Sequence, residues 1–207
     1  MERSRYTGIV NDLILELPVF IFLIIHPQGC ILFDTGPPAE LWLGQASIEL
    51  APGMIATRGC SSGLVREIER LGHSLDDIAI IVNSHTHLDH AGGNSLIVGA
   101  RNYVQDRGDV KGDDDLFGDG SIHLLATPGH SPDHQSMLVR GKNRQVLLTG
   151  DACFRPANLI DFKLPLIVED REQALRSLIR LREISTESGT MVLTSHDPAA
   201  TGECISL

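Results

Sequence analysis

The chain is short of positive charge, of long apolar runs and of paired cysteines. Its 17 Lys and Arg stand against 27 Asp and Glu, a formal net charge of −10 over 207 residues. Affinity for nucleic acid is supplied mainly by Lys and Arg, so this balance argues against a nucleic-acid partner. It also gives no pull towards anionic membranes and serves solubility. The longest apolar run, VFIFLII at residues 19–25, is too short to span a bilayer and reads as a buried strand. Cys30, Cys60, Cys153 and Cys204 are far apart and form no CxxC pair, which argues against a disulfide framework and against a cysteine-type zinc site. They are expected to be buried free thiols of a cytoplasmic protein. No signal-peptide pattern, repeat, low-complexity tract or linker is visible.

What remains is an ordinary globular composition, 42% hydrophobic and 21% charged, read as a single domain over residues 1–207. VFIFLII and CILFD flank the turn signal HPQG and predict a β-hairpin. Residues 37–60 read as an irregular loop or lid. SSGLVREIERLG predicts a helix capped by Ser61 or Ser62, with Leu64, Ile68 and Leu71 on its apolar face and Gly72 at its end. DIAIIVNSH reads as an inner strand, and the polar, glycine-rich segment 107–120 as a surface loop. Strands follow in SIHLLATPGH, QSMLVRG, RQVLLTGD and TMVLTSHD. The strongest helix signal spans residues 170–184, with Asp170 as cap and Ala174, Leu175, Leu178 and Leu181 on the apolar face.

The chemistry is concentrated in HTHLDHAGGN, residues 85–94. His85 and His87 can face one way on extended backbone, while Asp89 and His90 follow a turn and can face a second point. Neutral imidazole and carboxylate oxygen suit zinc, iron, manganese or cobalt. His130 follows a Pro-Gly turn, Asp151 ends VLLTG and His196 ends MVLTS, so every further donor lies at a strand end. One arrangement uses them all: His85, His87 and His130 hold one ion, Asp89, His90 and His196 hold another, and Asp151 bridges the two. Asp34, closing the apolar strand of LFDTG, either starts a turn or accepts a hydrogen bond from a ligand histidine. His134 either points away along the next strand or stands behind a ligand. Ser84, Ser131 and Ser195 read as turn residues.

The ordered motifs HTHLDH, TPGHSPDH, TGDA and TSHD, with LFDTG ahead of them, resemble the metallo-β-lactamase superfamily from about residue 17 to 197. Within it, SHTHLDHAGGN, TPGHSPDHQSMLV and TGDA are most similar to the N-acyl homoserine lactonases. The resemblance implies an α/β fold, an αββα sandwich, and the same metal ligands: His85, His87, Asp89, His90, His130, Asp151 and His196. It implies two divalent ions, zinc first, with manganese, iron or cobalt as alternatives. Three departures stand out. Phe154 occupies the place where those lactonases usually carry a tyrosine that polarises the substrate carbonyl. A phenyl ring can pack on an acyl chain but cannot donate a hydrogen bond, and losing an oxyanion donor costs about 10²-fold or more in rate. The stretch between Asn94 and His123 is short, which predicts a reduced acyl-chain pocket. The chain starts late and ends soon after His196, which predicts a wide one.

The reaction implied is hydrolysis of a small neutral acyl substrate, a lactone or ester. Two cations lower the pKa of a shared water from about 15.7 towards 7, the resulting metal-bridged hydroxide attacks the carbonyl, and Asp89 carries its proton to the leaving group. The alternatives are a glyoxalase-II-like thioester hydrolase or a β-lactamase on the same ligands, a mononuclear iron oxygenase on the same fold, and a non-catalytic metal-binding domain. The full set of donors favours a two-metal hydrolase over the last two.

Overall fold

The computed structural model describes residues 4–10, 13–57, 63–103, 112–200 and 204–207. The chain forms two compact units, Met1–Tyr103 and Val104–Leu207.

The first unit opens with a hairpin of β1 (Ser4–Val10) and β2 (Leu13–Val19). A second antiparallel hairpin follows, β3 (Phe22–His26) and β4 (Gly29–Phe33). The expected strand over 19–25 is thus divided, because Val19 completes β2 while Phe20 and Ile21, outside any strand, precede β3. After β4 come α1 (Ala39–Trp42), β5 (Ser47–Ala51) and β6 (Met54–Thr57). This corrects the reading of residues 37–60 as an irregular loop. The alternation of half-buried and exposed residues in β5 is that of a strand with one covered face, and Gly53, at φ 77°, makes the turn into β6. The sheet order is β2-β1-β6-β5.

Then come α2 (Leu64–Arg70), β7 (Ile78–Val82), α3 (Leu88–Ala91) and β8 (Arg101–Tyr103). Gly63 stands at the N-cap of α2; the expected caps Ser61 and Ser62 lie outside the described residues, as does Cys60. Leu64 and Ile68 are buried with Ile21, Leu32, Ile78 and Ile81 in one apolar cluster. The second sheet is ordered β3-β4-β7-β8, with β4, β7 and β8 parallel. β7 therefore has partners on both sides, which accounts for its nearly unbroken apolar run.

The second unit contains β9 (Asp114–Asp115), β10 (Ile122–Ala126), β11 (Gln135–Arg140), β12 (Gln145–Leu148), α4 (Pro156–Asp161), α5 (Arg171–Ser185) and β13 (Thr190–Leu193). Their sheet is ordered β13-β12-β11-β10-β9, antiparallel except for the β12–β13 pair. Within the segment expected as a loop over 107–120, β9 pairs with β10, while residues 104–111 are not described. The Asp170 carboxylate caps α5 by accepting from Glu172 N and Gln173 N. Ala174, Ser177, Leu178 and Leu181 are the buried residues of α5. Leu175, expected on that face, is 39% exposed, because Ser177 turns inward instead and donates to the Pro128 carbonyl at 2.7 Å. Leu178 and Leu181 join Leu125, Leu138 and Leu147 in the core.

Candidate metal centre

In the first unit, β7 ends in Asn83-Ser84-His85, and the chain then turns into α3. His87 is the N-cap of that helix, so Asp89 and His90 share its single turn. His85 Nε2 lies 2.9 Å from His87 Nδ1, and His90 Nε2 lies 2.6 Å from Asp89 Oδ2.

Asp34 orders this arrangement from behind. Its carboxylate accepts from Ser84 N at 2.7 Å, from Ser84 Oγ at 3.0 Å and from His90 Nδ1 at 2.8 Å. Ser84 has then spent its proton on Asp34, so its oxygen accepts from His85 Nδ1 at 3.0 Å. Both imidazoles are held with Nδ1 committed as a donor, so that Nε2 is the ring nitrogen placed to bind a metal. Ser84, read as a turn residue, is the link between them; its only signal in the sequence is its place beside His85. Burial explains the need for these bonds, since Asp34, Ser84, His85 and His90 are all fully buried and an unpaired carboxylate there is costly.

The Gly-Gly pair has a steric reason. A Cβ on Gly92 would lie 2.3 Å from Leu88 O and 2.4 Å from Pro38 N, and one on Gly93 would lie 2.4 Å from Thr35 O. Only glycine lets the loop after Asp34 lie directly on α3. The His90 carbonyl accepts from Thr35 N at 2.8 Å and from Asn83 Nδ2 at 3.2 Å. Asn94 closes the network, accepting from Thr35 Oγ1 at 2.7 Å and donating to Asn83 Oδ1 at 2.8 Å.

In the second unit, His130 follows β10 on a turn whose Gly129 has φ 133° and comes so close to α5 that a Cβ would sit 2.1 Å from Ala174 N. His130 Nδ1 donates to the Ile167 carbonyl at 2.8 Å, and its Nε2 lies 3.4 Å from Asp151 Oδ2. Asp151 sits on a single 3-10 turn, Gly150–Ala152, just after β12. His196 follows β13, its Nε2 2.9 Å from Asp151 Oδ1. The Phe154 ring stands edge-on to His196 at 4.7 Å between centroids and 6.4 Å from His130. Buried Cys153 is not a donor of the same kind. Burial pushes its thiol up to about 12, and its Sγ donates to Arg155 O at 2.9 Å. Cys30 is buried as expected, whereas Cys204 is exposed. His134 faces the Asp151 turn rather than pointing away along β11.

In each unit, then, an imidazole Nε2 lies close to a carboxylate oxygen: His90 to Asp89 in the first, His130 and His196 to Asp151 in the second. Two acceptors at 2.6 Å, as in the Asp89–His90 pair, repel one another unless a proton or a cation lies between them. Buried His and Asp arranged in this way are the hard and borderline donors that suit a divalent metal. His85, His87, Asp89 and His90 in the first unit, and His130, Asp151 and His196 in the second, are candidate metal ligands. The residues present fit the group.

The metallo-beta-lactamase superfamily pattern matches residues 14–109 and 98–187. The chain belongs to that superfamily, has its fold of mixed helices and sheets, and is a metal-dependent hydrolase. Among characterised members it is similar to N-acyl homoserine lactonases. It is 31% identical to the lactonase AttM of Azorhizobium caulinodans, over 89% of this chain and 84% of the relative. It is 33% identical to the N-acyl homoserine lactonase of Bacillus cereus, over 89% and 83%. A variant of AiiA from B. thuringiensis, solved with N-decanoyl-L-homoserine bound at its active site, superposes with a TM-score of 0.79 at 26% identity, covering 96% of this chain and 92% of that one. An N-acyl homoserine lactone hydrolase with N-hexanoyl-L-homoserine at its catalytic metal centre gives 0.78 at 26% identity, covering 95% and 94%. No helix among the described residues is long and apolar enough to cross a membrane.

Proposed function

We propose that the chain is a dinuclear metal hydrolase that opens N-acyl homoserine lactones, its two units acting as one metallo-hydrolase domain over residues 1–207. His85, His87 and His130 would hold one divalent ion and Asp89, His90 and His196 the other, and Asp151 would complete the ligand set. The observation that supports this reading is the gathering of buried imidazoles and carboxylates, with Nδ1 of His90, His85 and His130 committed to Asp34, Ser84 and the Ile167 carbonyl. Lactonase relatives at 30–33% identity supply the substrate class.

Bound there, two such ions, zinc first, would supply Lewis-acid polarisation of the lactone carbonyl and hydroxide near neutral pH by lowering the pKa of water towards 7. Asp89 accepts the proton of the attacking hydroxide and returns it to the ring oxygen as the C–O bond of the lactone breaks, leaving a carboxylate and an alcohol. Asp34 keeps His90, and through Ser84 also His85, in the tautomer that offers Nε2. The Phe154 ring gives the small neutral acyl substrate an apolar surface beside His196. The unpaired thiols of Cys30, Cys153 and Cys204 accord with a cytoplasmic location.

Elemental analysis of chelator-free protein, run beside an acyl-homoserine lactone hydrolysis assay, tests the reading. Close to two metals per chain with ring opening is the expected result. Two metals without ring opening would keep the hydrolase and overturn the substrate, and a chain that takes up neither zinc nor manganese would sink the mechanism.

A further inference from the structure

The strand β11 begins one residue after a histidine that the metal reading does not use. His134 is fully buried. Its Nε2 receives two backbone N–H groups, Asp151 N at 3.0 Å and Ala152 N at 3.2 Å. A peptide N–H can only donate, so Nε2 carries no proton and Nδ1 carries the ring's proton. Nδ1 then donates to Thr127 Oγ1 at 2.8 Å. Beyond it, Thr127 Oγ1 lies 2.9 Å from Ser136 Oγ, and Ser136 Oγ donates to the Thr149 carbonyl at 3.0 Å. Because Ser136 spends its proton on that carbonyl, Thr127 must donate to Ser136. Every donor and acceptor in the chain is thereby assigned.

The relay starts and ends on the same short stretch. Its first link holds the N–H groups of Asp151 and Ala152, and its last holds the carbonyl of Thr149, two residues before Asp151. Between them lies Gly150 at φ 52°, a conformation that glycine adopts readily; the Thr149 hydroxyl also donates within this turn, to Gly150 O at 3.1 Å and Cys153 O at 3.0 Å. Thr127, Ser136 and Thr149 are all fully buried, so water does not compete for these bonds.

We propose that His134 is a positioning residue: through Thr127 and Ser136 it clamps the Thr149–Ala152 turn and so sets where the Asp151 carboxylate points. The proposal rests on Asp151 being a metal ligand. It does not make His134 a ligand itself, since both ring nitrogens are already committed.

The test compares His134→Leu, which leaves two buried N–H groups without an acceptor, with His134→Gln, whose side-chain oxygen can take the place of Nε2. Zinc affinity of the full-length chain is measured by chelator competition, and amide exchange at Asp151 and Ala152 is measured on metal-free protein. We expect His134→Leu to lose about 10–100-fold in zinc affinity and to exchange those two amides faster. His134→Gln should stay within a few-fold of the unmodified chain on both counts. Equal zinc affinity in all three proteins overturns the proposal, as does a loss in His134→Gln as large as in His134→Leu. If the unmodified chain binds no zinc, the metal reading fails separately. The clamp is then judged on amide exchange alone, and unchanged exchange in His134→Leu overturns it. Should His134→Leu not fold, the Gln variant and Thr127→Val carry the same comparison.

Discussion

Asp34 Oδ2 accepts from His90 Nδ1 at 2.8 Å although the two residues are 56 positions apart. Asp34 reaches this position on backbone with φ 64°, a left-handed conformation that costs a non-glycine residue about 1–2 kcal/mol. Three hydrogen bonds to its carboxylate offset that cost.

Asp34→Ala removes the acceptor that orients His90 and Ser84 without touching a ligand. It should lower zinc affinity by about 10–100-fold. Chelator competition on the purified chain reads this directly, and an unchanged affinity would show that Asp34 only shapes the turn.

Gly93→Ala places a methyl group 2.4 Å from the Thr35 carbonyl, which is backbone and cannot swing aside. The loop after Asp34 must then lift from α3, straining the Thr35–His90 bonds. A loss of about 1–3 kcal/mol in urea unfolding is expected, with reduced metal content. Gly93 has φ −85°, which any residue adopts, so backbone strain does not contribute there. An unchanged unfolding midpoint would mean that close approach is not the reason for glycine.

Phe154 presents a ring edge to His196 at 4.7 Å but no donor. Phe154→Tyr adds a hydroxyl at the ring's far end. If that end faces the substrate carbonyl, kcat for lactone opening should rise by as much as about 10²-fold, the scale of an oxyanion donor, with KM changing little. Steady-state kinetics on one acyl-homoserine lactone decides it; unchanged kcat would mean the ring serves only the acyl chain.

Asp170 caps α5, and hydrogen bonds from Gln173 and Glu172 hold its carboxyl below the usual 3.8. A carboxyl lowered in the folded state stabilises fully above its unfolded value, and that contribution fades as pH falls through the lowered folded value. The unfolding-midpoint difference between the unmodified chain and Asp170→Ala should therefore be constant from pH 7 to about 5 and shrink below about 4. Urea melts across that range check it, and a difference that grew on acidification would contradict the sign.

The metal-capable residues were legible in the sequence because ligand spacing is a local, covalent property. Two histidines two apart, an Asp-His pair on the next turn and single donors at the ends of apolar runs need no knowledge of the fold to be noticed. The long helix was legible for a similar reason, through its Asp170 cap and 3.6-residue period. The elements before residue 19 and within 37–57 were not. The short strands β5 and β6 carry weak patterns, and pairing partners such as β1 and β6 are distant in the chain.

What tertiary structure alone decided is which ring nitrogens are committed as donors. Ser84 became the link between Asp34 and His85 only because β4 and β7 lie side by side, with Phe33 paired to Val82 at their ends. Gly92 and Gly93 are required only because the loop after Asp34 returns onto α3. His134 turned towards the Asp151 backbone because β10, β11 and β12 are hydrogen-bonded neighbours, which brings Thr127, Ser136 and Thr149 to one level. Composition and spacing determine which atoms can bind a metal. Strand register determines which protons are already spent, and so which of those atoms are placed to bind it.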